Sequence, residues 1–139
     1  MSHLNFILSF IVLFLPSELR REEARVNEYV SLVAPSEVVT VTTYTPSVGE
    51  TDSTPLITAS GFKINEGNPR RHRIIAVSRD LKRKYKFGTK LRIKGAGKYD
   101  GTYTVRDVMN KRYTKRIDIL VGKRDKQTKL KKVKVYKLK

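Results

Sequence analysis

Residues 102–121 read TYTVRDVMNKRYTKRIDILV, in which two short runs of alternating apolar and polar residues flank a polar turn. The runs at 102–107 and 116–121 are rich in β-branched residues, and this composition predicts two β-strands. Because successive side chains of a strand point to opposite faces, the two isoleucines of the second run should lie on one face and Asp118 on the other. A carboxylate within a strand is therefore the first candidate for a functional group.

Four further strand candidates lie on either side of this segment. They are VVTVTTYT (38–45), HRIIAV (72–77), TKLRI (89–93) and KVKVYKL (132–138). Glycine, proline and an Asp-Gly pair separate the runs, as is typical of turns between strands, and one short helix is predicted at residues 79–85. Six short strands with almost no helix favour an all-β fold, a small closed six-stranded barrel, over a sheet of β-α-β units.

The N-terminal part of the chain has a different composition. Residues 4–15 (LNFILSFIVLFL) form an apolar run that is too short to span a hydrocarbon core of ~30 Å, which needs about 20 residues. Its length suits a secretory signal peptide, so we interpret residues 1–16 as a signal peptide or short membrane anchor, with a buried N-terminal helix as the alternative. Residues 17–37 are interpreted as a spacer or short helix, and residues 38–139 as the barrel domain. These interpretations predict an exported protein of the periplasm or cell envelope.

The composition excludes several kinds of site. The 139 residues include no Cys, which rules out disulfides, thiolate zinc sites and a cysteine nucleophile. Two His residues are too few for a histidine-based metal site, and neither a metal nor a cofactor is expected. Enzymatic chemistry in this chain would therefore depend on carboxylates and hydroxyls.

The positive charge is concentrated in the predicted barrel. The whole chain carries a formal charge of +17, whereas residues 38–139 hold 27 basic and 8 acidic residues, a net charge of +19. This excess predicts a polyanionic partner. The charge does not name this partner. Nucleic acid is disfavoured, because aromatic residues are not interleaved with the basic ones as a stacking platform, and a membrane is contacted only through the N-terminal segment. The Lys-rich end, KLKKVKVYKLK (129–139), is interpreted as an edge strand whose lysines prevent edge-to-edge pairing.

Asp118 and Asp107 are the strongest candidates for chemistry among the acidic residues. Asp118 is either a general acid whose pKa is raised by apolar surroundings, or the partner of Arg116 or Lys115 in a salt bridge that would lower its pKa. Asp107 ends the preceding strand, 11 residues earlier, so the turn between the strands could bring the two carboxylates together. The alternative for Asp107 is that it accepts backbone N–H groups of its own loop, as Asp at a strand end commonly does.

Six short motifs occur in an order that resembles one known family. They are Thr43-Tyr44-Thr45, Thr58-Ala59-Ser60-Gly61, Ile75-Ala76-Val77, FGTKLRI (87–93), Asp107 and Arg116-Ile117-Asp118. Together they resemble the Asp-Asp-Asp (3D) domain, a double-psi β-barrel similar to the catalytic barrel of membrane-bound lytic transglycosylase A and to rare-lipoprotein-A-like proteins. The resemblance covers residues 38–137, nearly the whole basic part of the chain.

The resemblance implies that the partner is peptidoglycan or another anionic glycan polymer. It also implies cleavage of the glycan strands of peptidoglycan without water, which leaves a 1,6-anhydromuramoyl end. Asp118 would act first as the general acid and then as the base, and Asp107 would orient the substrate or hold the charge state of Asp118. Further side chains that would contact the substrate lie in the matched motifs or in the loops beside them. These are Thr43, Tyr44, Asp52, Thr58, Ser60, Asp80 and Lys90.

Two positions depart from the family pattern. The turn after Asp107 is Val108-Met109-Asn110, where the family has Thr-Gly-Gly, and two residues separate Asp80 from the preceding Ala-Val strand end. Asp80 is accordingly either a substitute for the first aspartate of the family or the N-cap of the short helix. Two other functions stay open: a non-catalytic glycan-binding or structural barrel of an envelope or virion assembly, and a basic nucleic-acid-binding protein.

Overall fold

The computed structural model of the protein describes residues 16–47 and 54–139. The apolar run at residues 4–15, interpreted above as a signal peptide or anchor, lies outside the described residues. The chain divides between Ala34 and Pro35 into two compact units. Among the described residues, no helix combines the length and the apolar character needed to cross a membrane.

Helix α1 (Ser17–Leu32) belongs to the first unit. It begins directly after Pro16, and Glu18 in its first turn interacts favourably with the positive end of the helix dipole. The backbone is extended again at Val33. The segment that the sequence predicts to be a spacer or short helix therefore contains a helix of 16 residues.

The second unit contains six β-strands and a one-turn helix within its described residues. The strands are β1 (Glu37–Tyr44), β2 (Ile74–Val77), β3 (Lys90–Lys94), β4 (Gly101–Val108), β5 (Arg116–Leu120) and β6 (Lys129–Lys137), and helix α2 covers Arg79–Lys82. Each strand coincides with one of the six predicted runs to within three residues at either end. The prediction of an all-β fold with a six-stranded barrel and one short helix is confirmed.

The six strands close into a barrel in the order β1-β5-β2-β4-β3-β6. β1 runs parallel to β5 and β2 runs parallel to β4, whereas the other four neighbouring pairs are antiparallel. Exchanging β1 with β4, β2 with β5 and β3 with β6 leaves this set of pairings unchanged. The barrel therefore consists of two halves with the same topology, which interlock around one core.

The lysine-rich strand β6 is not at an edge. It pairs with β1 on one side and with β3 on the other, because closure of the barrel removes the edges of the sheet. The interpretation of its lysines as protection against edge pairing is therefore wrong. Lys131, Lys132 and Lys134 are instead exposed on the outer surface of a continuous wall.

Apolar side chains that alternate with outward-facing residues fill the barrel interior. Ile117 and Ile119 of β5 are 0% and 2% exposed and belong to the interior cluster. Asp118 between them is half-buried and lies on the opposite face, as the alternation predicts. The strand that carries the candidate acid is thus held by its two isoleucines.

Strand β2 is covered on both faces. Ile75 and Val77 belong to the interior cluster, whereas Ile74 and Ala76 belong to a second apolar cluster outside the barrel, to which the loop before β2 contributes Ile64. All four residues of β2 are consequently buried, and the run is continuously apolar for this reason. One side of the barrel therefore carries an additional apolar layer.

Replacement of Ile117 by Ala tests the packing of the interior. The side chain is fully buried, and its truncation leaves a cavity, so we expect the free energy of unfolding to fall by about 2–5 kcal/mol. Val38→Ala is the control, because Val38 is 48% exposed on β1 and its truncation should cost about 0.5 kcal/mol or less. Chemical denaturation measures both variants, and equal losses would contradict the assignment of Ile117 to the core.

Candidate functional site

Four outward-facing side chains form a row across the barrel wall. Thr42 of β1 pairs with Asp118 of β5. Ala76 of β2 pairs with Asp118 on one side and with Asp107 of β4 on the other. Directly paired residues of neighbouring strands share one face of a sheet, so the two candidate carboxylates lie on the same face. They are two strands apart, which corresponds to about 10 Å between their Cα atoms.

A β-bulge in β4 brings Asp107 into this row. Ile75 pairs with Val105, but the next residue of β2, Ala76, pairs with Asp107, so Arg106 is the additional residue. Strict alternation along β4 would turn Asp107 to the same side as Val105, towards the barrel interior. The bulge re-aims the carboxylate onto the outer face, beside Ala76.

A groove with a volume of about 850 Å³ lies over the row. Ala76 has the smallest side chain of the row and stands between the two aspartates, so it leaves space between their carboxylates. The lining comprises the four residues of the row together with Thr43, Tyr44, Pro55, Ile57, Ala59, Val108, Met109, Asn110, Tyr113, Gln127 and three arginines. The groove thus offers carboxylates, hydroxyls and guanidinium groups to a ligand.

Asp118 lies beside both a polar and an apolar neighbour in this groove. The hydroxyl of Thr42 donates a hydrogen bond to it, with 2.9 Å between Thr42 Oγ1 and Asp118 Oδ1. On its other side the paired residue is Ala76, which has no polar side-chain atoms. The carboxylate is therefore oriented from the β1 side and faces the space above Ala76.

Asp107 accepts hydrogen bonds from three donors. Its Oδ1 accepts the backbone N–H groups of Ala59 at 3.0 Å and Val108 at 2.9 Å, and its Oδ2 accepts the hydroxyl of Tyr44 at 3.2 Å. The bond from Val108 is the local backbone contact expected for an aspartate at a strand end. The other two bonds join β4 to the loop before β2 and to β1, so Asp107 links three segments of the chain.

Tyr44 is almost fully buried beside Asp107. Burial raises the pKa of its hydroxyl well above the usual value of 10, and the charge of Asp107, the hydrogen bond to it and the charge of Asp118 raise the pKa further. The hydroxyl therefore stays protonated at neutral pH and remains a hydrogen-bond donor. Tyr44 contributes a fixed wall to the groove and does not act as a proton acceptor.

Thr58 and Ser60 lie on either side of Ala59 and do not line the groove. Their hydroxyl oxygens lie 3.0 Å apart, within hydrogen-bonding distance, and Thr58 Oγ1 also accepts the N–H group of Phe62 at 3.1 Å. These bonds shape the turn that holds the N–H group of Ala59 against Asp107. The resemblance implies that the two hydroxyl residues line the groove, but the lining residue of this turn is Ala59 between them.

Of the other residues for which the resemblance implies substrate binding, only some line the groove. Thr43 lines the groove, and its Oγ1 accepts the N–H group of Thr128 at 3.0 Å. Lys90 is exposed at the start of β3, pairs with Thr104 and does not line the groove. Asp52 lies outside the described residues.

Asp80 anchors the start of β5 and does not line the groove. It lies in the first turn of α2, whose N-cap is Ser78, so the interpretation of Asp80 as the N-cap is wrong. Its Oδ2 accepts the N–H group of Lys115 at 3.0 Å. Burial, the largest influence, would raise the pKa of Asp80, but hydrogen bonds from the Ser78 hydroxyl and the Lys115 N–H group hold that pKa below its usual value. Helix α2 thus fixes the residues that lead into Asp118.

Three arginines line the groove, and the family resemblance gives none of them a ligand-binding role. They are Arg79 of α2, Arg112 and Arg116. Arg112 and Arg116 both lie against the ring of Tyr113, with their guanidinium carbons 4.8 and 4.5 Å from the ring centre. The only available signal is the basic turn MNKRYTKR (109–116) between the two aspartates. Three guanidinium groups beside two carboxyl groups suit a ligand that carries negative charge.

The described parts of the chain contain no group of three or more His, Asp or Glu side chains that could hold a metal ion. No protein-family model, no curated protein and no solved structure matches the chain. The chemistry of the groove is therefore inferred from its own side chains, of which the two carboxylates and the three guanidinium groups carry charge.

Tyr44→Phe tests the link between Tyr44 and Asp107. The substitution deletes a hydrogen bond to a carboxylate, and bonds to charged groups contribute about 1.5–3 kcal/mol, so the free energy of unfolding at neutral pH should fall by that order. The pKa of Tyr44 is raised in the folded state. The protonated hydroxyl of Tyr44 therefore contributes fully to the free energy of unfolding below the unfolded-state pKa of about 10, and this contribution is lost as the pH rises further. The deficit of the variant relative to wild type should therefore narrow in alkaline solution.

Urea unfolding at neutral and alkaline pH measures both effects. Tyr136→Phe is the matched control at neutral pH, because Tyr136 is a buried tyrosine of β6 that donates to no carboxylate of the described residues. It should lose less stability than the Tyr44 variant. A deficit of Tyr44→Phe that does not change with pH would contradict the raised pKa.

Proposed function

We propose that the barrel is a peptidoglycan lytic transglycosylase of the double-psi type, with Asp118 as the single general acid and base. The observation that carries this proposal is the position of Asp118 in the groove, in the row between Thr42 and Ala76. The two parallel strand pairs and the interlocked halves of the barrel support the double-psi assignment. The motif residues that resemble the 3D domain support it as well.

In the first step, the protonated carboxyl of Asp118 donates its proton to the glycosidic oxygen. The bond between this oxygen and the anomeric carbon breaks, and the oxygen leaves as a hydroxyl of the departing glycan. Positive charge develops on the anomeric carbon and the ring oxygen of the remaining sugar. Asp118 is left as a carboxylate beside this sugar, where its negative charge stabilises the developing positive charge.

In the second step, the carboxylate of Asp118 removes the proton from the C6 hydroxyl of the same sugar. The C6 oxygen then bonds to the anomeric carbon, which forms the 1,6-anhydro ring and regenerates the protonated carboxyl. No water is consumed, and one carboxyl group is sufficient because the proton given in the first step is recovered in the second. The hydrogen bond from Thr42 orients Asp118 for both steps.

The contacts of Asp107 favour this reaction over a hydrolysis that uses two carboxylates. In the hydrolytic scheme the second carboxylate attacks the sugar or activates a water molecule. Both oxygens of Asp107 already accept hydrogen bonds, from Ala59, Val108 and Tyr44, and these bonds weaken it as a nucleophile or base. We assign Asp107 a positioning role, in which it holds Tyr44 and the turn at Ala59 as walls of the groove.

The arginines of the groove fit an acidic glycan. Peptidoglycan carries carboxylates on its peptide side chains, and guanidinium groups bind carboxylates through two parallel hydrogen bonds. Arg112 and Arg116 are held against Tyr113, so less conformational entropy is lost when they bind a ligand. Because peptidoglycan lies outside the cytoplasmic membrane, the proposal includes export to the periplasm or cell envelope, for which the apolar run at residues 4–15 is the support.

Asp118→Asn tests the catalytic part of the proposal. The amide retains the shape of the side chain but cannot give and recover a proton as a carboxyl group does. Loss of general acid–base catalysis lowers rates by about 10²–10⁴-fold, so we expect the variant to form product at least ~100-fold more slowly than wild type. The measurement is digestion of purified peptidoglycan, with 1,6-anhydromuramoyl products quantified by mass spectrometry.

Asp125→Asn is the matched control for this experiment. Asp125 contacts Arg70 and the N–H group of Gly122 and does not line the groove, so its variant should digest peptidoglycan at the wild-type rate. Absence of anhydro products from wild type, or equal yields from the Asp118 variant, overturns the catalytic assignment. In that case co-sedimentation with peptidoglycan identifies a non-catalytic glycan-binding barrel if the protein binds.

A further inference from the structure

The outer face of β3 carries basic side chains at every alternate position. Leu91 and Ile93 belong to the interior cluster, and the residues that alternate with them, Lys90, Arg92 and Lys94, face outward. Thr102 and Thr104 of β4 pair with Arg92 and Lys90 and add hydroxyl groups beside this row. The row therefore presents three positive charges in a line.

Strand β6 extends this charged surface. Lys134 pairs directly with Lys94, and Lys132, at the β-bulge of β6, has a left-handed backbone conformation with a φ of 57°. Like charges directly opposite each other destabilise a sheet, and a positive φ is strained in a residue other than glycine. We name the surface formed by Lys90, Arg92, Lys94, Lys132 and Lys134 the β3–β6 basic face.

Among the described residues, neither edge protection nor an ion pair offsets this repulsion and strain for the four lysines. Because β6 is paired on both sides, its lysines do not protect an edge. Within residues 16–47 and 54–139, none of the four lysines of the β3–β6 basic face forms an ion pair with a carboxylate. Lysines that lack internal carboxylate partners are typical of a surface that attracts an external anion.

The β3–β6 basic face and the groove lie on opposite sides of the barrel. In the closed strand order, β2 and β5 form the centre of the groove wall, and β3 and β6 are the pair of strands farthest from them. Lys90, for which the family resemblance implies substrate binding, belongs to the β3–β6 basic face. A ligand on this face therefore does not compete with a ligand in the groove.

We propose that the β3–β6 basic face binds the phosphate chain of a linear phosphate polymer. Alternate residues of one strand are about 6.6 Å apart, so Lys90, Arg92 and Lys94 form a line of charges that an extended polymer can follow. Lysine binds phosphate as a compact point charge. Tyr136, the aromatic residue paired with Arg92, is buried and cannot stack on a base. Recognition is therefore by charge along the chain and is independent of base sequence.

Binding of inorganic polyphosphate, measured by calorimetry over a series of salt concentrations, tests this proposal. Two variants that each lose three positive charges are compared, K90Q/K94Q/K134Q on the face and K63Q/K111Q/K126Q at exposed loop positions. Each phosphate contact to a single-stranded polymer contributes about 0.7 to the slope of the logarithm of the binding constant against the logarithm of the salt concentration. The face variant should therefore lose about 2 from the magnitude of this slope and bind polyphosphate at least ~10-fold more weakly at low salt. The loop variant should stay within about two-fold of wild type.

Further probes distinguish phosphate binding at this face from binding by net charge alone and from membrane binding. A single-stranded oligo-dT should show the same loss in the face variant, because its phosphates are what the face binds. Equal weakening of both triple variants would mean that net charge alone holds the polymer, and this result overturns the proposal. Binding of wild type to phosphatidylglycerol vesicles without binding to polyphosphate also overturns it. Asp118→Asn should bind polyphosphate as wild type does, so the result is independent of the proposed catalytic function.

Lys134→Glu separates loss of binding from loss of folding. The substitution turns the like-charged pair with Lys94 into a pair of opposite charges, so its melting temperature should equal or exceed that of wild type. Its binding to polyphosphate should nevertheless weaken. A variant that melts at or above the wild-type temperature and binds polyphosphate as tightly as wild type would contradict the location assigned to the site.

Discussion

The register of β5 between β1 and β2 is the constraint on which both the fold and the candidate site depend. It places Ile117 and Ile119 in the interior and Asp118 on the outer face. A shift by one residue would bury the carboxylate and expose both isoleucines. It is unfavourable by several kcal/mol to bury an unpaired charge, and likewise to expose two large apolar side chains. The packing that closes the barrel therefore also fixes the position of the Asp118 carboxylate.

Part of this arrangement can be predicted from the sequence because it follows a two-residue period. Alternation in RIDILV (116–121) correctly predicts the face of Asp118. The same rule applied to β4 places Asp107 inside the barrel, which is wrong because a bulge at Arg106 turns Asp107 outward. Residue composition gives no signal of this bulge. The pairing of β6 on both sides is equally hidden, because its partners β1 and β3 are distant in the chain. Arg79 reaches the groove only through the tertiary position of α2.

The excess positive charge is divided between two surfaces of different chemistry. In the groove, guanidinium groups stand beside carboxylates and hydroxyls, so the field there is mixed and favours a ligand with both polar and acidic groups. On the β3–β6 basic face, Lys94 lies directly opposite Lys134 and the named side chains are all basic, so their field has one sign and attracts anions. Closure of the barrel separates the two surfaces, because the strands at the centre of each lie on opposite sides of the ring.

The contact between Tyr44 and Asp107 gives the two aspartates of one row different surroundings. Burial keeps the hydroxyl of Tyr44 protonated, so it remains a donor to Asp107 across the neutral pH range. With two backbone N–H groups bound as well, Asp107 serves to hold the walls of the groove together. Asp118 is paired with the small Ala76, which leaves space beside its carboxyl group. The proposed reaction, in which one carboxyl group gives and recovers the same proton, requires nothing further from Asp107.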